Sequence, residues 1–432
     1  MLFFVIFIAF FSLVYCDEDS YRFFGTNKIK KDFEDRFHST CGKYQFVDMY
    51  KRQLSQPRPD KFLIFIFHDD SLTGGLGDRF SGLISAFAMA LFLDRTLIIK
   101  DDSDLHRFFS PYHFENRDNW SNSDNETSSK LPTSIDFDHL EEWMDRPLSS
   151  TWPQNEGLVK NMSCLNDIST ACSLETDSND KRFLIYRSNR CFLCRYQHST
   201  PFLKKLKLNE DNNLYQMAGC MLRLVLWPKE FMWQLVDEHY FHFFQNQVNI
   251  FPHENEGFRQ VAIHHRCGDH HYNDHMKKRD CYYENANPSD LVKCASKFVQ
   301  SLSATKKNDS MIIFVSADSH PASHTITHEL HSTLHRSHHH IYTAPNGCHV
   351  DLKNLNQSYA HDCMHTTIVP WFMMALSQTY FVQTNEFKHP FSGYSRSAGI
   401  YGLYSNPFTL GAQCNVVDAR ASAKSGGMSW IC

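Results

Sequence analysis

The feature that most constrains the fold is an unbroken apolar run that leads into a glycine-rich turn. Residues 61–67 (KFLIFIF) have the length of a strand, and a strand without polar alternation is expected in a sheet that is covered on both faces. The turn 74–79 (GGLGDR), an apolar helix predicted at 80–93 and a second strand predicted at 96–99 follow. Strand, turn, helix and strand in this order predict a βαβ unit.

The second half of the chain repeats this alternation of strands and helices, after a predicted domain boundary at Pro252. Alternating strands and helices indicate parallel sheets, and the predicted fold class is therefore α/β. The predicted strands of this half are short and apolar, and the predicted helices carry periodic apolar positions. The strands lie at 261–265, 311–315, 340–342 and 380–383, and the helices lie at 289–302, 323–335 and 366–377.

Polar residues follow three of these strands. Ligands of open α/β sheets bind at the carboxyl ends of the strands. An arginine there can donate two parallel hydrogen bonds to phosphate oxygens, and a helix N-terminus favours an anion. If the strands are neighbours, these residues predict a nucleoside diphosphate site; the other interpretation is a surface Arg–Asp pair beside a strand. The residues are His264, Arg266 and Asp269 after the first strand, Asp318 after the second, and Ser395 with Arg396 after the third.

The glycine turn has two interpretations. Gly75, Gly77 and Gly82 do not reproduce the G-x-G-x-x-G spacing of dinucleotide-binding proteins. Backbone N–H groups at the helix start, together with Arg79, can still face an anion or a sugar hydroxyl. Ordinary packing between helix and strand explains the same glycines.

Size and charge limit the function classes. A chain of 432 residues with 42% hydrophobic content can bury a large core, and its length favours two domains. The net charge of −5 with interspersed signs argues against a nucleic-acid binder, which would carry a basic face. Any bound phosphate is therefore expected to be held locally.

The N-terminus predicts entry into the secretory pathway. Residues 2–15 are apolar or small and are followed by Asp17, Glu18 and Asp19. This stretch is short for a membrane span, so residues 1–16 are predicted to be a cleaved signal peptide, with a short signal anchor as the alternative. No other membrane association is expected. The remainder of the chain is expected in the lumen of the endoplasmic reticulum or Golgi, or outside the cell.

The cysteines and the glycosylation sequons agree with that compartment. An oxidising lumen is expected to pair most of the 14 cysteines. Removal of Cys16 leaves an odd number, and Cys267 is the predicted free thiol. Cys191 and Cys194 form a CxxC without a second CxxC, which favours a structural over a zinc or redox interpretation. N-glycosylation sequons begin at Asn119, Asn125, Asn161, Asn308 and Asn356.

A histidine-rich segment lies in the predicted helix at 323–335. His324, His328, His331 and His335 share one helical face by their three- and four-residue spacing. Zinc binding is one interpretation. A solvated helix face is favoured, because an amphipathic helix needs a polar side and the HExxH spacing is absent.

The chain therefore divides into segments of different character. A polar segment at 17–60, with a helical piece at 31–37, precedes the first strand. The domain at 61–252 contains a polar, glycosylated insertion at about 101–180, then a strand at 182–186 and helices at 214–226 and 230–244. The second domain covers 253–412, and a tail covers 413–432.

Four motifs taken together resemble the GDP-fucose-dependent fucosyltransferase superfamily, which includes α-1,2-, α-1,6- and protein O-fucosyltransferases. The motifs are GGLGDR at 74–79, HHRCGD at 264–269, FVSAD at 314–318 and FSGYSRSA at 391–398. The resemblance covers about residues 61–412. It implies a GT-B fold, in which two Rossmann-like domains face each other across a cleft and the C-terminal domain holds most of the sugar nucleotide.

The resemblance also implies roles for individual residues. Arg266 would bind the pyrophosphate and stabilise the departing GDP, His264 would hold the nucleotide at the same strand end, and Asp318 would contact the guanosine. Ser395 and Arg396 would supply further phosphate donors. The chain departs from the family at Asp78, where Asn is common, and at Pro370, where an acid often precedes Trp371.

The implied reaction is an inverting transfer of fucose from GDP-fucose to a glycan or glycoprotein acceptor. It requires no metal ion, since a fixed arginine and helix-terminal amides can stabilise the charge that grows on the β-phosphate. Asp78, Asp269 and His264 are the candidate general bases. The alternatives are an inactive sugar- or nucleotide-binding protein of the same fold, and a metal-binding protein built on the histidine face.

Overall fold

The computed structural model describes most of the predicted strands and helices. The described residues are 18–55, 61–66, 75–100, 105–112, 157–161, 183–187, 193, 200–208, 213–245, 259–265, 288–304, 311–317, 320–334, 339–344, 357–377, 379–383, 393–403, 407–410 and 416–418.

Helices and strands alternate along the described chain, as the sequence predicts for an α/β fold. The helices are α1 (Glu18–Cys41), α2 (Gln45–Ser55), α3 (Leu76–Phe92), α4 (Leu105–Phe108), α5 (Thr200–Leu206), α6 (Leu214–Val225), α7 (Glu230–Gln245), α8 (Pro288–Ala304), α9 (His320–Thr333), α10 (Gln357–Leu376) and α11 (Gly393–Gly402). The strands are β1 (Phe62–Ile66), β2 (Thr96–Lys100), β3 (Phe109–Ser110), β4 (Gly157–Asn161), β5 (Phe183–Arg187), β6 (Trp227–Pro228), β7 (Arg259–His265), β8 (Met311–Ala317), β9 (His339–Thr343), β10 (Thr379–Gln383), β11 (Pro407–Leu410) and β12 (Val416–Asp418).

Two sheets organise these elements. The first has the order β2-β1-β5-β4, and its strands are parallel. The second has the order β12-β11-β10-β7-β8-β9 and is parallel except for β12, which runs antiparallel to β11. The fold class is thus α/β with parallel sheets, and the βαβ unit β1-α3-β2 forms as predicted. A small antiparallel pair, β3 with β6, lies outside both sheets.

The second sheet is covered on both faces. Successive side chains of a strand point to opposite faces, and in β7 the side chains of Val261 and Ile263 join one buried cluster while Ala262 joins another. Leu291 of α8 and Ile326 of α9 belong to the cluster of Val261 and Ile263. This two-sided burial explains why the strands read as continuous apolar runs.

The N-terminal polar segment contributes to the core, which the sequence did not predict. The helical piece expected at 31–37 is part of the much longer α1, and α2 follows it. Phe33 and Phe37 of α1 and Phe46 of α2 are buried in the larger hydrophobic cluster. A disulfide between Cys41 and Cys220 links α1 to α6.

Besides the two-residue β3, two strands lie in segments that were expected to be loop or tail. β4 falls in the insertion at 101–180 and extends the first sheet beyond β5. β12 falls in the tail at 413–432 and closes one edge of the second sheet. Both are edge strands, and edge strands have little apolar patterning to reveal them in a sequence.

Several predictions concern residues outside the described part of the chain. They are the leader at 1–16, the CxxC at Cys191 and Cys194, the free thiol at Cys267, and the sequons at Asn119, Asn125, Asn308 and Asn356. Within the described residues, no helix combines the length and the hydropathy needed for a membrane crossing. The domain boundary at Pro252 remains a prediction.

Candidate functional site

The three strands whose ends carry the predicted site residues are neighbours. β7 lies between β10 and β8, and His264 pairs with Val382 on one side and Ser316 on the other. All three strands are parallel, so they end at the same edge of the sheet. Arg266, Asp269 and Asp318 follow these ends in the sequence but lie outside the described residues.

His264 is fixed at this edge by the first turn of α11. The imidazole is buried, and its ring centroid lies 5.6 Å from that of Tyr394. The Tyr394 hydroxyl donates a hydrogen bond of 2.6 Å to the carbonyl of Thr367 in α10. His264 lies on the same face of the sheet as Ala262 because the two residues are two positions apart.

The N-terminus of α3 meets the N-terminus of α11 at this point. A Cβ added to Gly77 would lie 2.0 Å from the carbonyl carbon of Gly393 and 2.3 Å from the amide nitrogen of Tyr394. Only a glycine permits this approach, so Gly77 packs against another helix and not against a strand, and its role in binding an anion remains a prediction. Gly75 differs, because a Cβ there would meet no atom within 4 Å.

The charges around this contact are mostly positive. Each helix carries partial positive charge at its N-terminus, and each places a buried arginine in its first turn, Arg79 in α3 and Arg396 in α11. Asp78 is the acid in the first turn of α3. Gly75 is the N-cap of α3 and offers no side chain for capping. Two helix N-termini that meet, each with an arginine in its first turn, favour an anion.

Hydrogen bonds hold the first turn of α11 against α10. Trp371 is fully buried and its Nε1 donates to the Ser397 hydroxyl at 2.8 Å. The Ser397 hydroxyl donates to the carbonyl of Tyr394, also at 2.8 Å. Phe80 of α3 packs on the Trp371 ring, with centroids 4.6 Å apart. Trp371 therefore contacts both α3 and α11 and supports the site from the side of α10.

The C-terminus of α11 is held by a buried arginine of α6. Arg223 donates from Nε to the Tyr401 carbonyl at 2.6 Å, from one Nη to the Gly402 carbonyl at 3.1 Å and from the other to the Phe33 carbonyl at 2.7 Å. Its guanidinium lies 3.5 Å from the centroid of the Phe33 ring. Arg36 of α1 also donates to the Gly402 carbonyl, at 2.8 Å. Cations at a helix C-terminus are stabilising, so α11 is fixed at both ends.

The chain is similar to fucosyltransferases. A solved structure of a mutant of Arabidopsis thaliana FUT1 in complex with GDP is 14% identical, covers 89% of this chain and 78% of its own, and has a TM-score of 0.46. The fucosyltransferase NodZ from Bradyrhizobium is 12% identical over 82% of this chain and 95% of its own, with a TM-score of 0.42.

A further NodZ structure, of an α-1,6-fucosyltransferase soaked with GDP-fucose, is 11% identical over 83% of this chain and 99% of its own, with a TM-score of 0.41. No protein-family model matches the chain, and no curated protein matches it.

The structure brings together five of the residues that the sequence singled out for the site. They come from three elements: Gly77 and Asp78 from α3, His264 from β7, and Ser395 with Arg396 from α11. Gly75 stands at the N-cap of α3, beside them in sequence. The predicted roles of these residues in binding or catalysis remain predictions.

The sequence does not predict the contacts that Tyr394 and Arg223 make at this site. Tyr394 stands inside the motif FSGYSRSA, but nothing in the motif reveals its contact with His264. Arg223 lies in an apolar helix, Leu-Arg-Leu at 222–224. A charged residue in such a setting is a signal that it needs buried partners, since an arginine is almost never fully buried unless paired.

The histidine face of α9 is solvated, which is the interpretation that the sequence favours. His324 and His328 are exposed, while Ile326 and Leu330 on the other side are buried. No group of three potential ligands among the described residues can hold a metal ion. His335 lies outside these residues.

Proposed function

We propose that this protein transfers L-fucose from GDP-fucose to a glycan or glycoprotein acceptor, with inversion at the anomeric carbon. The observation that carries the proposal is the meeting of two helix N-termini, each with a buried arginine, at the end of β7. Such a place suits a pyrophosphate, which carries several negative charges and many hydrogen-bond acceptors. The resemblance of the four motifs supports a sugar nucleotide, the donor substrate, as the molecule that carries this pyrophosphate.

The chemistry of the step suits the residues of the site. As the bond between fucose and the β-phosphate breaks, the sugar becomes oxocarbenium-like and negative charge grows on the departing GDP. Backbone N–H groups that are already oriented stabilise this charge without reorganising. In this proposal Arg266, one residue beyond the end of β7, supplies the bidentate contact, and Arg396 and Ser395 supply contacts from α11. The transfer needs no metal ion.

The acceptor is expected to approach from the side of α3. Asp78 is the described carboxylate of the first turn of that helix, and a carboxylate there can accept the proton of an acceptor hydroxyl. An acid in a first turn also stabilises its own helix. Replacement by Asn separates the two roles, because Asn keeps the shape and much of the hydrogen bonding but cannot take the proton.

We further propose a GT-B arrangement, with the donor held mainly by the second sheet, and a location in the secretory lumen. The two separate parallel sheets support the first proposal. The disulfide between Cys41 and Cys220 supports the second, because such bonds persist in oxidising compartments.

Calorimetric titration of the purified protein with GDP and GDP-fucose, in the presence of chelator, tests the nucleotide site. We expect binding of both, and none or much weaker binding of UDP and ADP. Arg266→Ala should lose the binding with an unchanged melting temperature. If no nucleotide binds to the folded wild-type protein, the resemblance is one of fold only.

Turnover is tested separately from binding. The protein is incubated with GDP-fucose and a panel of N-glycan, galactoside and peptide acceptors, and the release of GDP and the product are measured. Transfer that persists in chelator supports the enzyme. GDP binding without transfer or hydrolysis favours the alternative, an inactive binding protein of the same fold.

A further inference from the structure

Three histidines form a stripe along α9, on the side that faces away from its sheet. An α-helix turns about 100° per residue, so His324, His328 and His331 fall within an arc of about 60°. Ile326 and Leu330 point to the opposite side and are fully buried. The stripe is therefore held in place by a helix whose other face is anchored in the core.

The first two histidines of the stripe form an exposed pair. His324 and His328 are both exposed, whereas His331 is half-buried. The two exposed rings are nearly parallel, with an interplanar angle of 12° and centroids 6.5 Å apart. Because both side chains are exposed, rotation about their side-chain bonds can direct a nitrogen of each ring toward a common point between them.

Two imidazoles one helical turn apart are suited to a transition-metal ion. Histidine is a ligand of zinc, copper and nickel, and oxygen-preferring ions such as calcium and magnesium are disfavoured. Metal–nitrogen distances are about 2.0–2.1 Å, and the two rings, whose centroids lie 6.5 Å apart, must move closer together to reach them. No set of three ligands converges in the described part of the chain, so water completes the coordination.

We propose that His324 and His328 bind a divalent transition-metal ion, with copper held more tightly than nickel or zinc. The order follows from the general ranking of these ions at nitrogen ligands. The site lies on the solvent face of α9, and α9 packs on β8 and β9. It is not needed for the metal-independent transfer proposed above.

Titration of tag-free, chelator-treated protein with Cu²⁺, Ni²⁺ and Zn²⁺ tests the proposal. We expect H324Q or H328Q to weaken Cu²⁺ binding by about tenfold or more, because one of two protein ligands is lost. The double variant H338Q/H339Q is the matched control, since it removes two neighbouring histidines without this spacing. It should keep the wild-type affinity.

Spectroscopy and stability provide readouts that do not depend on activity. The electron paramagnetic resonance spectrum of bound Cu²⁺ should show two coordinated imidazole nitrogens in the wild type and fewer in H328Q. Bound metal should also raise the melting temperature of the wild type, as any ligand of the folded state does. Equal Cu²⁺ affinity in wild type and H324Q/H328Q, or its loss in H338Q/H339Q instead, would overturn the proposal.

Discussion

At the level of single residues, Gly77 decides how closely α3 and α11 approach. Gly77→Ala places a Cβ 2.0 Å from a backbone carbon of Gly393, which neither helix can avoid without moving. We expect a loss of about 2–3 kcal/mol in the free energy of unfolding, together with loss of GDP binding. Urea denaturation and calorimetry measure the two effects.

Gly75→Ala is the matched control for this change. It adds the same methyl group two residues earlier, where no atom lies within 4 Å. We expect little change in stability, because the cost is limited to the helix N-cap. A result in which both variants are equally stable would mean that the close contact between α3 and α11 does not exist in solution.

The raised pKa of Tyr342 leads us to expect a loss of folding stability at alkaline pH. Burial raises its pKa from 10.0 to about 12, and its hydroxyl shares a hydrogen bond of 2.5 Å with Nδ1 of His239. The folded state therefore holds the phenol proton more tightly than the unfolded state does. The stability that the protonated Tyr342 phenol contributes is fully present below the ordinary pKa of 10.0 and is lost as the pH rises through about 12.

The variant Tyr342→Phe cannot lose a phenol proton. Its urea midpoint should fall less steeply than that of the wild type between pH 10 and about 12. Tyr44, whose pKa burial also raises to about 12, keeps a similar dependence in both proteins. Identical slopes for the two proteins would contradict the assignment to Tyr342.

Residue patterns predicted parts of the site but not its contacts. The strand ends were found because polar residues interrupt apolar runs, as His264 and Arg266 do. The contact of Gly77 with Gly393 joins residues more than three hundred positions apart, and no local pattern encodes it. Tyr394 illustrates the same limit, since its partner depends on how β7 and α11 are placed.

At the level of elements, the C-terminus of α11 is held by hydrogen bonds from the Arg223 guanidinium of α6. Arg223→Met keeps much of the side-chain volume but leaves the carbonyls of Phe33 and Tyr401 without their donor. We expect a loss of about 3 kcal/mol, because buried acceptors without partners are costly. Arg36→Met, which removes one bond from a more exposed side chain, should cost less.

Thermal and urea denaturation of the two arginine variants check this order. Arg223→Lys serves as a control for charge, since an ammonium keeps the charge but cannot donate in the planar geometry of a guanidinium. The free energy of unfolding of Arg223→Lys should lie between that of the wild type and that of Arg223→Met. Equal stability of Arg223→Met and Arg36→Met would argue against a special role for the buried arginine.

Elements with strong periodicity were predicted well, and short or polar ones were not. The helices α6 and α7 lie within one residue of their predicted ends, because their apolar positions are dense. The length of α1 was missed since charged residues surround Phe33, Phe37 and Cys41, although their spacing of four residues marks a buried stripe. The strand β4 (GLVKN) ends in two polar residues and β12 (VVD) has only three residues, so neither shows an apolar run of strand length.

At the level of the whole molecule, a disulfide joins two described helices that are distant in the sequence. The disulfide of Cys41 with Cys220 closes a loop across 179 residues. Its removal by Cys41→Ser should destabilise the protein by about 2–5 kcal/mol. Urea denaturation of the wild type and of Cys41→Ser, both without reductant, measures this difference. An unchanged melting temperature in Cys41→Ser would show that the link is not formed in solution.

The attachment of α11 also has a consequence for motion. By sequence this helix belongs to the second half of the chain, but Arg223, Arg36 and Gly77 fasten it to helices of the first half. Hydrogen bonds of Trp371 and Thr367 also hold α11 to α10, so helices from both halves of the chain fix its position. A displacement of any of these helices would therefore shift Tyr394 relative to His264, whose ring centroids lie 5.6 Å apart.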